Sequence, residues 1–237
     1  MEPVRIVPLR EDVAAARPNP EFTYRGGPLL TRVEVVTVYV GDAWPDSLPH
    51  DLDAFFDFVV TSELIDQLDE YSVGDARIEH GAHVGSARLP AGDLGPLVTD
   101  DNLRSLLQDA IARRLVPQPT ANALYNLFLP SGIAVELQGT RSCQVFCGYH
   151  DAIDGAIFYS VLPFPNCRGC GGDKPPLEAL TVTASHELAE AITDAVPGTG
   201  WYDDTYGEIG DVCPWQTKQL GDYVVQLEWS NAAHACV

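Results

Sequence analysis

The chain has 237 residues, 46% of them hydrophobic, which is enough to bury a substantial core and excludes a disordered protein. Its 34 acidic residues face 14 basic ones, and the resulting net charge of −20 repels phosphate backbones and anionic lipid surfaces, so neither nucleic acid nor a membrane is expected as a partner. No apolar run approaches the roughly 20 residues needed to span a bilayer.

Residues 1–30 read as an irregular lead, rich in Pro and Arg and ending at Gly26-Gly27-Pro28. Met1 to Pro20 has no apolar signal-peptide core, so nothing there directs export. Residues 31–237 are expected to form a single domain. Arg32 to Val40 alternates β-branched residues and is the clearest strand. His50 to Tyr71 follows helical spacing, with a break near Thr61-Ser62. Arg77 to Leu89 reads as a strand with bulges at Gly81 and Gly85; His80 and His83, three apart on a strand, point to opposite faces, which argues against a shared metal. Asp100 or Asp101 is placed to cap a helix running to about Arg114, which Pro117 stops. Asn122 to Leu137 reads as a strand pair around a turn at Pro130-Ser131-Gly132, and Ala156 to Phe164 as a further strand.

Six cysteines follow: Cys143, Cys147, Cys167, Cys170, Cys213 and Cys236. Cys143-x3-Cys147-x2-His150 with the distant Cys167-x2-Cys170 could close a structural zinc site, but disulfides explain the same residues in a turn-rich context and are preferred. Six cysteines allow about 15 pairings, and spacing does not choose among them, although Cys236 is well placed to pair with Cys213. If the cysteines are oxidised, His150 is left as a site residue. An even cysteine count suits an oxidising compartment, against the missing export signal.

Thr183 to Asp194, T-A-S-H-E-L-A-E-A-I-T-D, carries the chemistry. On a helix, expected over residues 181–195, His186, Glu187, Glu190 and Asp194 share one face and Leu188, Ala189, Ala191 and Ile192 occupy the other. The plain alternative is an amphipathic surface helix with a polar stripe. Asp194 argues against it, because an acid at a helix C-terminus opposes the macrodipole unless a cation is near. The acidic loop 200–213 brings Glu208 and Asp211, which could supply a ligand from a separate segment; Asp203 and Asp204 read as a solvated turn. The loop does not have EF-hand spacing. Tyr223 to Trp229 is the last expected strand.

The spacing resembles the H-E-x-x-H helix of zinc peptidases, with Glu190 in the place of the second histidine. S-H-E-L-A-E-A-I-T-D, G-W-Y-D, G-E-I-G-D-V-C and V-Q-L-E-W-S-N together resemble a family of bacterial proteins with an S-H-E-L-x-E-A-x-T-D-P helix and an E-I-G-D-x-C loop. The likeness extends through F-C-G-Y-H and L-V-T-D-D-N-L to V-T-V-Y-V, and more distantly to plant phosphate-induced, Exordium-like proteins. Ala195 departs from it where Pro is usual. The resemblance implies an α+β, zincin-like fold, with a mixed sheet, an active-site helix and a loop-rich, cysteine-containing C-terminal part. It also implies His186 and Glu190 as metal ligands, Glu187 as general base, and export, since the similar proteins are generally exported. Glu208 and Asp211 rank above Asp194 as the third ligand. Zinc is the expected metal, although calcium suits the carboxylates as well. The activity expected is hydrolysis of a peptide or small-molecule substrate by a metallopeptidase-like enzyme. A non-catalytic metal-stabilised domain and a biosynthetic lyase or cyclase on the same scaffold stay open. A deep apolar pocket beside His186 would favour the last of these.

Overall fold

The structure, a computed structural model, describes residues 6–9, 20–45, 47–92 and 94–237. Two short strands, β1 (Val7–Pro8) and β2 (Thr23–Tyr24), tie the lead to the domain, so it carries more regular structure than its composition suggests; the remainder of the lead lies outside the described residues. In β3 (Glu34–Val40), Val36, Val38 and Val40 enter one core and Val35 and Tyr39 another, as period-two alternation requires of a strand buried on both faces. Helices α1 (Leu48–Val59) and α2 (Glu63–Leu68) are divided at the expected break, where Ser62 Oγ accepts the N–H of Leu64 at 3.3 Å.

Strand β4 (Ala82–Leu89) pairs in parallel with β3, with a register shift opposite His83 and Gly85. After β5 (Leu97–Thr99) comes α3 (Asp100–Ala112), capped not by an aspartate but by Thr99, whose hydroxyl and backbone form a capping box with Asn102. The expected strand pair over residues 122–137 does not form. Instead β6 (Ala123–Leu129), buried along its whole length, inserts between other strands, while β7 (Ala134–Leu137) pairs with β5 and with β8 (Thr140–Arg141) in a small separate sheet. A run this apolar on both faces belongs in the middle of a sheet, which local turn signals cannot reveal.

Strands β9 (Phe146–Ile153) and β10 (Ile157–Pro163) form an antiparallel hairpin. The main sheet has the order β1-β9-β10-β6-β3-β4, with β10, β6, β3 and β4 parallel. One face packs on α3; the other packs on α1, α2 and α4 (Pro176–Thr193). The molecule is therefore a mixed α+β domain. Short strands complete it: β11 (Trp201–Tyr202) on β2, β12 (Thr217–Leu220) on β13 (Tyr223–Gln226), and β14 (Trp229–Ser230) on β15 (Ala235–Cys236).

Helix α4 starts earlier than expected, with Pro in its first turn, and is not a surface helix: every residue from Ala179 to Thr193 is buried. Its alanines allow close approach, and its hydroxyls are satisfied internally, with Thr183, Ser185 and Thr193 bonding carbonyls one turn back. Disulfides Cys143–Cys167 and Cys147–Cys170 clip the start of β9 to the loop that feeds α4, and Cys213–Cys236 fastens the acidic loop to β15. These pairings leave no thiolate for a zinc knuckle. Loops of this length give each bridge about 3 kcal/mol in the chain-entropy account.

Strand β9 meets α4 at Gly148, where a Cβ would lie 2.7 Å from Thr183 Cγ2 and 2.9 Å from Glu187 Oε1. Gly148→Ala is expected to cost about 1–3 kcal/mol through overpacking, read as a lower denaturant midpoint at unchanged slope. An unchanged midpoint would contradict this close packing.

Candidate metal centre

The close approach at Gly148 sets His150, two residues along β9, against the polar face of α4. His150 Nδ1 lies 3.2 Å from Glu187 Oε2 and 3.7 Å from Glu190 Oε2. Its Nε2 lies 3.2 Å from the carbonyl of Asp194 and 3.3 Å from Glu208 Oε1. On the other side of Glu190, Oε1 is 3.1 Å from His186 Nε2. His186, Glu187, Glu190, Glu208 and His150 thus meet in one cluster, with Glu228 near His186 and Glu190; none of the six is more than 1% exposed.

The loop after Gly207 reaches α4 because Gly210 has no side chain: a Cβ there would stand 2.8 Å from both Glu190 Oε1 and His186 Nδ1. This approach carries Glu208 inside and sets Asp211 beside His186 and Glu190. Asp211 Oδ2 also accepts the N–H of Glu208 at 3.1 Å. Asp194 has a different position. Its carboxylate accepts the N–H groups of Gly198 (2.6 Å), Thr199 (3.0 Å) and Gly200 (2.5 Å), so hydrogen bonds account for an acid at this helix end without a cation. Asp203 receives the N–H groups of Thr205 and Tyr206, and Asp204 pairs with Arg25. His80 and His83 stay outside the cluster, paired with Asp66 and Asp57 respectively.

Two residues of V-Q-L-E-W join the centre although the sequence reading assigned them only to a strand. The Gln226 carboxamide accepts the N–H of Trp215 through Oε1 at 3.1 Å, and through Nε2 donates to the carbonyl of Gly210 at 3.1 Å and contacts His186 Nδ1 at 2.7 Å. The first two contacts fix the amide orientation, so its N–H donates to Nδ1, and a neutral His186 carries its proton on Nε2. Coordination through that Nε2 displaces the proton and requires the carboxamide to turn over. His150 is arranged the other way. The Asp194 carbonyl accepts from Nε2–H, so a neutral His150 would turn its Nδ1 lone pair toward the carboxylates, the tautomer that a ligating histidine needs, whereas the protonated ring donates Nδ1–H to Glu187 Oε2. Glu228, wholly buried, is the second addition. A period-two pattern marks which residues of a strand turn inward but not that an acid among them is kept there for its charge.

The electrostatics are those of a site short of positive charge. Burial pushes Glu208 and Glu228 well above the usual carboxylate range, against the pull of His150 on the first and of His186 on the second. Glu187 and Asp194 are raised for the same reason. Burial would lower both imidazoles, but Glu208 and Glu187 around His150 and Glu190 beside His186 outweigh it, and both end well above their ordinary value. Half-buried Lys218 also acts on Glu228. Even so, among the described residues no well-aligned hydrogen bond reaches His186 Nε2, Glu187 Oε1, Glu190 Oε1 or either oxygen of Glu208 and Glu228, close as some of these atoms stand. A buried polar atom without a hydrogen bond costs about 1–3 kcal/mol, and more when charged. Mixed imidazole and carboxylate donors of this kind suit zinc, manganese or iron, so the residues present fit a divalent cation.

A cleft of about 650 Å³ opens nearby, lined by Asp100, Arg104, Glu136, Asp151, Val196 and Pro197 among others. Asp151 follows His150 on β9 and so turns to the α3 face, where it pairs with Arg104, and no side chain of the cluster lines the cleft. Its charged lining is mainly acidic, and His186 is not among the residues that line it, unlike the pocket that would favour a lyase or cyclase. Comparison with protein-family models, curated proteins and solved structures finds no match to this chain.

The raised carboxyls give stability that is present below about pH 4 and lost as pH climbs through their folded values; the raised imidazoles give stability present below about pH 6.5 and lost in the same direction. A cation binds the ionised forms and acts oppositely. Chelator-stripped protein should therefore lose stability from about pH 5 to pH 8, and the gap in melting temperature between zinc-loaded and stripped protein should widen over that range. A constant gap, measured by scanning calorimetry, would contradict this.

Proposed function

We propose that this chain is a metalloprotein of the H-E-x-x-E type and a metal-dependent hydrolase with a zincin-like active-site helix. The observation that carries the reading is the set of buried, unbonded imidazole and carboxylate atoms gathered around Glu190. His186 and Glu190 would hold the metal, with Asp211, whose carboxylate oxygen lies within 4.8 Å of their donor atoms, as the ligand from a separate segment and Glu208, tied to it through its backbone N–H, as a neighbouring acid. Zinc is the first candidate. Bound there, a divalent metal lowers the pKa of a water toward about 7 and polarises a carbonyl.

The chain supplies the rest. Glu187 Oε1, which has no hydrogen bond, would accept a proton from the attacking water as its oxygen bonds to the carbonyl carbon. The same carboxyl then delivers that proton to the leaving amine as the C–N bond breaks. A protonated His150 would donate Nδ1–H to Glu187 Oε2, 3.2 Å away, and so orient the carboxyl for both transfers. A cleft lined by Asp100, Asp101, Glu136, Asp151 and Asp154 could receive a substrate, and its carboxylates would favour positively charged groups on a peptide. Three disulfides fit an oxidising compartment, and we extend this to an exported protein.

A second reading has one observation in its favour. The enclosure of every cluster side chain suits a metal held for stability, with no turnover. The Glu187→Gln variant separates the two. If the chain is a hydrolase, the zinc-loaded variant keeps the metal held by His186 and Glu190 and still melts well above its stripped form, while cleavage of a peptide library falls by about 10²–10⁴-fold. Zinc-loaded wild type that cleaves nothing in the library, yet melts far above the stripped form, would overturn hydrolysis in favour of the stabilising role.

A further inference from the structure

We infer that the cluster holds two divalent cations rather than one, bridged by Glu190, with His150 as the imidazole of the second site. This rests on the metal-centre reading above and adds a site to it.

Two sets of donor atoms each lie mutually within 4.8 Å: His186, Glu190 and Asp211, and His150, Glu187 and Glu190. Glu190 belongs to both. Its oxygens face opposite ways, Oε1 at 3.1 Å from His186 Nε2 and Oε2 at 3.7 Å from His150 Nδ1. A carboxylate presenting one oxygen to each of two imidazoles is arranged as a bridge, the geometry that holds paired metals about 3.5–4 Å apart.

One ion does not account for all the donors. An ion between His186 and Glu190 leaves Nδ1 of His150 directed at Glu187 and Glu190, with its other nitrogen already engaged by the Asp194 carbonyl. It also leaves a surplus of acids. Glu208 Oε1 lies 3.3 Å from His150 Nε2, and Glu228 is close enough to act on His186 and Glu190; among the described residues all four of their oxygens are buried and no well-aligned hydrogen bond reaches them. Each half therefore has an imidazole, a share of Glu190 and a further acid, Glu187 beside His150 and Asp211 beside His186. Two imidazoles with four or more carboxylates is a donor set suited to paired zinc, manganese or iron. Glu187 Oε2 then belongs to the His150 site, while Oε1 remains for the proton.

The test is metal stoichiometry by plasma mass spectrometry after loading the oxidised full chain with excess zinc and desalting. About two ions per chain in the wild type, about one in His150→Gln and fewer than one in Glu190→Gln are expected, as a shared bridge requires. Circular dichroism and thiol counting establish that each variant is folded with its disulfides intact. Loading the wild type with manganese gives a readout independent of the variants: paramagnetic resonance should show a spin-coupled pair. About one zinc in the wild type, with an uncoupled manganese signal, overturns the second site and leaves the single-metal reading standing. No zinc or manganese retained overturns both.

Discussion

Carboxyl groups sealed from water without hydrogen bonds are the constraint on which this structure turns. Glu187, Glu190, Glu208 and Glu228 are buried, and among the described residues most of their oxygens find no well-aligned donor. Such groups either take up protons or bind a cation. The raised carboxyls and the raised imidazoles show the first tendency within the chain itself. The second joins the H-E-x-x-E helix, the acidic loop and His150 in one account.

Much of the surrounding architecture serves to bring these groups together. Gly148 lets β9 lie against α4, and Gly210 lets the acidic loop lie against the other side of the same helix. Asp194 gathers the backbone N–H groups of the turn that sends the chain back toward the helix. Two disulfides hold β9 near the approach to α4, and the third holds the acidic loop to the last strand pair. Three segments, β9, the acidic loop and the chain through Gln226 and Glu228, are thus fixed around one short stretch of helix.

What could be read from the residues alone divides along physical lines. The isolated strand at β3, the α1–α2 break and the helix carrying His186 and Glu190 were legible, because each is written in local periodicity or spacing. The placing of β6 between β3 and β10 was not, since an apolar run records burial but not its neighbours. Thr99 rather than Asp100 as the α3 cap is a one-residue difference that only backbone geometry decides. At the centre, Glu208 and Asp211 were accessible as acids in a glycine-punctuated loop. Gln226 and Glu228 were hidden in what reads as an ordinary strand, and the engagement of Asp194 by three backbone N–H groups depends on a turn that no side-chain pattern announces.

The most direct test of the central claim is an anomalous-scattering map at the zinc edge from crystals of zinc-loaded, oxidised protein. The account predicts density within about 2.0–2.2 Å of a Glu190 oxygen, with a histidine nitrogen from His186 or His150 at a similar distance. A map with no peak at Glu190, and hydrogen-bonded carboxyl and imidazole groups in its place, would contradict it and leave the cluster as a network of shared protons.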